Sequence, residues 1–191
     1  MKFKPDFLTG KVTQVLITPT KDKFVTTSVQ EVETTFDGFP EDRHSGNLRK
    51  SGGREKAQYK SGTTIRNNRQ WSALSEEELL MIADKMGVDE VKAEWVGANI
   101  IFEGIPGFSK LPPLTHIIIN PESPDFVCLI LFEENGPCQH PNRVIAEKTK
   151  GQNWKSTFMV AAKGLRGTVG WVDKPGIICV GDEVRVMIPQ V

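Results

Sequence analysis

Short apolar runs, broken every few positions by glycine, proline or charge, dominate this chain. Residues 12–18 and 24–36 are rich in Val, Ile and Thr with partial apolar–polar alternation, the pattern of half-buried strands. Residues 99–102, 116–119, 126–132, 167–172 and 183–188 repeat that pattern in shorter form. Short strands punctuated in this way predict a barrel or a sandwich rather than a doubly wound sheet. Helical periodicity is confined to a few places. Ser75 followed by Glu78 is a capping-box signature, after which Leu79, Ile82, Ala83 and Met86 share one face and Gly87 offers a left-handed stop. A second helix is predicted from Lys155 to about Lys163 or Leu165, burying Phe158, Ala161, Ala162 and Leu165. A third helical pattern covers 143–148. The chain shows no internal repeat and no linker, so a single domain over residues 1–191 is expected, mainly β with a few peripheral helices.

Composition narrows the class. A length of 191 residues allows one sizeable core, and 24 basic residues balance 24 acidic ones, so no global charge draws the chain to nucleic acid or to an anionic membrane. No apolar stretch is long enough to cross a bilayer. The N-terminus, Met1-Lys2-Phe3-Lys4-Pro5-Asp6, lacks the apolar run of a secretory signal, which predicts a cytoplasmic protein. Three cysteines without CxxC spacing argue against a disulfide scaffold, a zinc site or an iron–sulfur cluster. Cys128 and Cys179 sit inside apolar runs and read as inert buried thiols.

Cys138 differs. It stands in Asn135-Gly136-Pro137-Cys138-Gln139-His140-Pro141-Asn142-Arg143, between an apolar strand pattern and a helical one. A cysteine at a strand-to-helix junction lies near free backbone N–H groups and the positive end of a helix dipole, a setting that favours thiolate. The same residue could equally be a small packing element in a turn. Between Arg43 and Gln70 stand eight Arg or Lys residues against one acid, Glu55. Such a segment is either a basic loop that closes over an anionic ligand or a solvated loop kept soluble by its charge. Its single tyrosine, Tyr59, gives no interleaving of bases with aromatics, so single-stranded nucleic acid is not the expected partner.

Four motifs in order along the chain carry a more specific signal. Gly38-Phe39-Pro40-Glu41-Asp42-Arg43-His44-Ser45-Gly46 resembles the Gly-x-x-x-Asp-Arg-His-x-Gly segment of the molybdenum cofactor sulfurase C-terminal (MOSC) domain family. Trp95-Val96-Gly97-Ala98-Asn99-Ile100 is similar to that family's Gly-Glu-Asn-(Ile/Leu) motif, with Ala98 in place of the usual Glu. Pro137-Cys138 matches its cysteine, and Pro175-Gly176-Ile177-Ile178-Cys179-Val180-Gly181-Asp182-Glu183-Val184 is similar to its closing turn and strand.

The resemblance implies a β-barrel of about seven or more strands, in a short, stand-alone member of the family. It implies handling of the molybdenum cofactor (molybdopterin), a pyranopterin dithiolene with a terminal phosphate. Cys138 would ligate molybdenum or carry sulfur as a persulfide, which makes it the expected catalytic and metal-binding residue. Asp42, Arg43, His44, Arg66, Arg69, Asn99 and Arg166 are the expected cofactor-binding residues, bordering one concave site. Longer members of the family reduce N-hydroxylated compounds; a chain without cysteine clusters would need a separate electron-donor protein, or a sulfur-donor protein for sulfur transfer. A non-enzymatic carrier or storage protein for the cofactor is the alternative.

Overall fold

The computed structural model describes residues 6–18, 20, 23–150 and 152–189; the N-terminal stretch read above for the lack of a secretory signal lies largely outside them. Seven strands carry the architecture: β1 (Asp6–Ile17), β6 (Trp71–Ser75), β7 (Ile100–Glu103), β8 (His116–Ile119), β9 (Val127–Glu134), β10 (Thr168–Lys174) and β12 (Glu183–Ile188). They pair in the order β12-β8-β9-β10-β6-β7-β1, and β12 pairs back onto β1, which closes the sheet into a barrel and removes its edges. Every pairing in the ring is antiparallel except β6 with β7. That parallel pair needs a crossover, supplied by α1 (Glu76–Met86) and the 3₁₀ turn Glu94–Val96. β2 (Thr27–Val29) extends from β1, β3 (Glu31–Glu33) pairs with β11 (Ile177–Cys179), and β4 (Leu48–Lys50) pairs with β5 (Thr64–Arg66).

Two cores explain why some strands read as unbroken apolar runs. Val15, Ala73, Ile100 and Phe102 point into the barrel, beside Phe108, Leu129, Leu131 and Val186. Their neighbours Leu16, Leu74 and Ile101 point outward into a second core made with Leu79, Ile82, Met86, Ile145 and Phe158. The end of β1, β6 and most of β7 are therefore buried on both faces, and all five residues of β6 are buried. The helices α1, α2 (Gln139–Lys148) and α3 (Phe158–Ala161) supply the outer cover.

Several sequence expectations are corrected in detail. The long strand expected over 24–36 is two, because the chain leaves β1 at Gln30 and joins β11 instead. The helix expected from 155 to 163–165 is the single turn of α3, after which Ala162 leaves helical geometry and Gly164 takes φ +72. At α1, Ser75 Oγ accepts the Glu78 N–H at 3.2 Å and Gly87 ends the helix at φ 71, as expected. The reciprocal half of the capping box is absent: Glu78 accepts the N–H of Ser109 at 2.7 Å, tying the helix start to a distant turn. Cys179 is half-buried rather than enclosed, with Sγ 3.8 Å from Glu31 Oε2.

Cys128 is buried in β9 as expected, at 5% exposure between β8 and β10, and burial, then the charge of Asp173, pushes its thiol up to about 11. A serine there buries a hydroxyl without an assured acceptor. Cys128→Ser should therefore cost about 1–3 kcal/mol in urea unfolding, and a loss below about 0.5 kcal/mol would show that the strand supplies a partner.

Candidate functional site

One end of the barrel opens into a cavity of about 530 Å³. The first turns of β6 and β10, the residues before β7 and the start of α2 form its floor and one wall. The β4–β5 ribbon and its connecting loop form the opposite wall. Six cationic side chains line it (Arg43, Arg49, Lys50, Arg54, Arg69 and Arg166), against one lining carboxylate, Glu55. Glu55 is spent on Arg49, 2.5 Å away, whose hydrogen bond holds the Glu55 carboxyl down at about 2. A concave surface with this charge selects anions.

Cys138 lines the same cavity as the N-cap of α2, in extended conformation. An N-cap side chain ordinarily accepts the N–H of the second or third helical residue. Here the third is Pro141, which has no N–H, and Cys138 makes no side-chain capping bond. The sulfur is thus a free, half-buried thiol facing a cationic cavity. His140, which also lines the cavity, stacks on Phe24 at 5.5 Å and 21°, while Arg143 is exposed and outside the lining.

The Asp42-Arg43-His44 turn is fixed from below. Asp42 is buried, and its Oδ1 accepts both the backbone N–H of His44 at 2.9 Å and the ring at Nδ1, 2.8 Å away. Its Oδ2 accepts the Thr18 N–H at 2.7 Å and Asn99 Nδ2 at 2.9 Å. Burial alone would raise the Asp42 pKa; the hydrogen bonds from His44 and from the Thr18 backbone N–H outweigh it and hold the carboxyl below its ordinary value. Arg43 Nε donates to His44 Nε2 at 3.3 Å. Arginine has no acceptor, so in this arrangement Nδ1 carries the imidazole proton and gives it to Asp42. Arg43 is itself seated over the Phe24 ring and donates to Lys23 O at 2.7 Å.

Asn99 gives both amide hydrogens inward, to Asp42 and to Leu16 O at 3.2 Å, and its Oδ1 accepts from the Ser72 N–H and hydroxyl. It and Asp42 are positioning residues, tying β1, β6 and the His44 turn together beneath the cavity. Gly97, two residues before, sits at φ +64, and a Cβ there would meet the Phe24 ring at 3.0 Å. Arg69 also lines the cavity, with two donors committed to Glu133 and to Asn135 Oδ1 at 2.9 Å. Burial, then the charge of Arg54, lowers the Arg69 pKa, which places these guanidinium groups within each other's field.

Arg166 is a buried member of the lining. It is 4% exposed and donates through Nη2 to Val96 O, while among the described residues its Nε and Nη1 have no acceptor. Burial pushes its pKa down to about 10; the Cys138 thiolate would hold it up, and Arg69 and Arg54 push it further down. Each buried donor left without a partner costs about 1–3 kcal/mol.

The structure therefore brings Cys138, Arg43, His44, Arg69, Asn99 and Arg166 to one cavity, with Asp42 directly behind. Arg66 is the exception. It is exposed at the end of β5, opposite Leu48, and does not line the cavity. Residues the sequence did not mark as site residues include Trp71, buried at 1% yet lining the cavity, and Asn67, which holds the His44 turn through His44 O and Gly46 O at 2.8 and 2.9 Å. Asn67 could have been found beside Arg66 in the polar run; nothing in the sequence separates Trp71 from a core tryptophan.

Comparison with known proteins agrees with this fold. The MOSC domain model matches residues 41–185. A Bacillus subtilis (strain 168) protein, YuaD, whose description places it provisionally in metal–sulfur cluster biosynthesis, is 37% identical over 180 residues, covering 94% of this chain and 91% of its own. The crystal structure of Bacillus subtilis YuaD superposes with a TM-score of 0.90 at 36% identity, over 98% of this chain and 100% of that one. The YiiM protein of Geobacillus stearothermophilus, at 10% identity, shares the fold with a TM-score of 0.60 over 95% of this chain and 75% of its own. A domain match over most of the chain, with a relative this similar along its length, makes this chain a member of the MOSC domain family.

Proposed function

We propose that this protein holds the molybdenum cofactor in the cationic cavity, with Cys138 as the thiolate that meets the metal. The single observation that supports this most is an uncommitted thiol at a helix N-terminus on the wall of a cavity with six cations. The donor set fits the group. Among the described residues no cluster of three His, Cys, Asp or Glu side chains could hold a bare metal ion. One thiolate suits a molybdenum centre that arrives with its own dithiolene ligands, since soft sulfur donors favour such metals. Arg49, Lys50 and Arg54 on the ribbon wall, with Arg69, would take the terminal phosphate. His44, proton on Nδ1, and Arg43 would border the metal end and orient an incoming substrate. When bound, the cofactor would supply two-electron oxo-transfer chemistry, as in reduction of N-hydroxylated compounds, with electrons from a separate protein.

The description of YuaD favours a second reading, sulfur handling, in which Cys138 takes a persulfide sulfur from a donor protein and passes it on. Both uses need the same thiolate. Molybdenum and pterin should copurify with the protein from a cofactor-competent host under the first reading. Sulfane sulfur released by dithiothreitol, without metal or pterin, marks the second. Turnover with an artificial electron donor then separates a reductase from a carrier or storage protein. Protein with no metal, no pterin and no sulfane sulfur would defeat both readings.

A further inference from the structure

The cavity floor carries donors with nothing to receive them. Arg166 Nε and Nη1 and Trp71 Nε1 have no acceptor among the described residues, although Arg166 is 4% and Trp71 1% exposed and both line the cavity. A guanidinium and an indole are donors only, so no rotation of either group turns an unmet hydrogen into an acceptor. Native proteins satisfy nearly all buried polar atoms; Arg49 Nε is a further unmet donor on the opposite wall, and the three on the two floor side chains call for a ligand.

The fold commits both residues to this place. Trp71 opens β6 and pairs with Gly170 of β10, where any Cβ would stand 2.4 Å from Trp71 Cζ2 and 1.9 Å from Ile130 O. Arg166 precedes β10 by two residues and is tethered by Val96 O, just before the Gly97 turn that seats Phe24. The ligand chemistry follows from what the floor lacks. A cation is repelled by six positive lining groups. A neutral amide or alcohol leaves the positive charge of the lining unmatched. A compact group with several acceptor oxygens and negative charge suits both the guanidinium and the indole donor.

We propose that Arg166 and Trp71 form a subsite for a tetrahedral oxyanion of the molybdate, sulfate and phosphate class, which binds as the free inorganic ion. The subsite shares the cavity of the reading above without depending on a pterin. Occupied by a free oxyanion, it makes the protein a receiver of inorganic oxyanion beside Cys138 as well as a holder of a finished cofactor.

The test is a titration of the ¹⁵N-labelled protein with sodium molybdate, sodium sulfate, sodium phosphate and phenyl phosphate, against sodium chloride at matched ionic strength. The four tryptophan indoles are followed, Trp71 being assigned by its loss in Trp71→Phe. The Trp71 indole N–H should move downfield and saturate with the inorganic dianions. The indole of Trp154, already donating to Thr149 Oγ1 at 2.9 Å, should stay still. Arg166→Gln should weaken the response at least tenfold. A Trp71 indole that stays still, that moves equally with chloride, or that responds as well in Arg166→Gln overturns the subsite, and the first two readings hold even if Arg166→Gln does not fold. A response to phenyl phosphate alone assigns the floor to an organic phosphate and also overturns the free-ion proposal. Saturation by molybdate in protein that never retains pterin would leave the subsite standing and remove the cofactor reading; retained pterin with a silent indole would do the reverse.

Discussion

Cys138→Ser should lose sulfur loading and molybdenum retention to background while its thermal midpoint stays within about 2 °C of wild type. The separation between the two effects follows from where the residue sits. Cys138 is half-buried at an N-cap, makes no capping bond and belongs to neither hydrophobic core. Serine is among the better N-cap residues, so the helix loses nothing. The chemistry is lost entirely, because a hydroxyl neither ionises near neutral pH nor forms a persulfide. Alkylation with iodoacetamide at neutral pH, read by mass spectrometry, should label Cys138 well before the other two. Cys128 is shielded and its thiol is held near 11. Cys179 is reachable, but burial, then Asp182 and Glu31, push its pKa up and keep it protonated. Equal labelling of all three in native protein, or unchanged metal and sulfur content in Cys138→Ser, ends the case for this thiol.

The parts of the fold legible in the sequence are those where local periodicity and tertiary burial agree. α1 is an example: one apolar face, a serine before it and a glycine after it all specify the same helix. β6 gives no strand signal because both its faces are buried, so Trp71–Ser75 shows no alternation. α2 begins four residues before its apolar pattern, since its first turn is polar and contains Pro141. The β4–β5 ribbon carries almost no apolar signal; its hydrogen bonds are made across a loop whose composition reads as solvated. At the site, the cysteine and the Asp42-Arg43-His44 turn were legible because their types are rare together. That Arg66 lies outside the cavity lining is not legible, for the opposite reason. Arg66 and Arg69 are three residues apart, and only the backbone path from β5 to β6 decides that one faces solvent and the other Glu133 and Asn135. The role of Asn99 also needed coordinates, since its partners Leu16 and Asp42 lie 83 and 57 positions away.

Asp42→Ala should be the most destabilising substitution near the site, by about 3–5 kcal/mol in urea unfolding. The carboxylate accepts from Thr18 N–H, His44 N–H, His44 Nδ1 and Asn99 Nδ2, all within 2.9 Å. Alanine leaves these donors facing a void. The His44 ring, 38% exposed, can recover water, so the figure is set below the sum of four unmet donors. Asparagine is no rescue, because its NH₂ must point at one pair of donors while its oxygen serves the other. The effect should depend on pH in a definite direction. The folded Asp42 pKa lies below the ordinary 3.8, so the folded state favours the carboxylate more than the unfolded chain does. Its contribution is complete above that ordinary value and is lost as pH falls from there through the lower folded value. The gap between wild type and Asp42→Ala should therefore narrow as pH falls below about 4. A gap under about 1 kcal/mol at pH 7 would mean that the His44 turn is held by Asn67 and its backbone bonds rather than by Asp42. A gap that widened over that same acid range would mean that the carboxyl is raised, not lowered, and that burial outweighs its four donors.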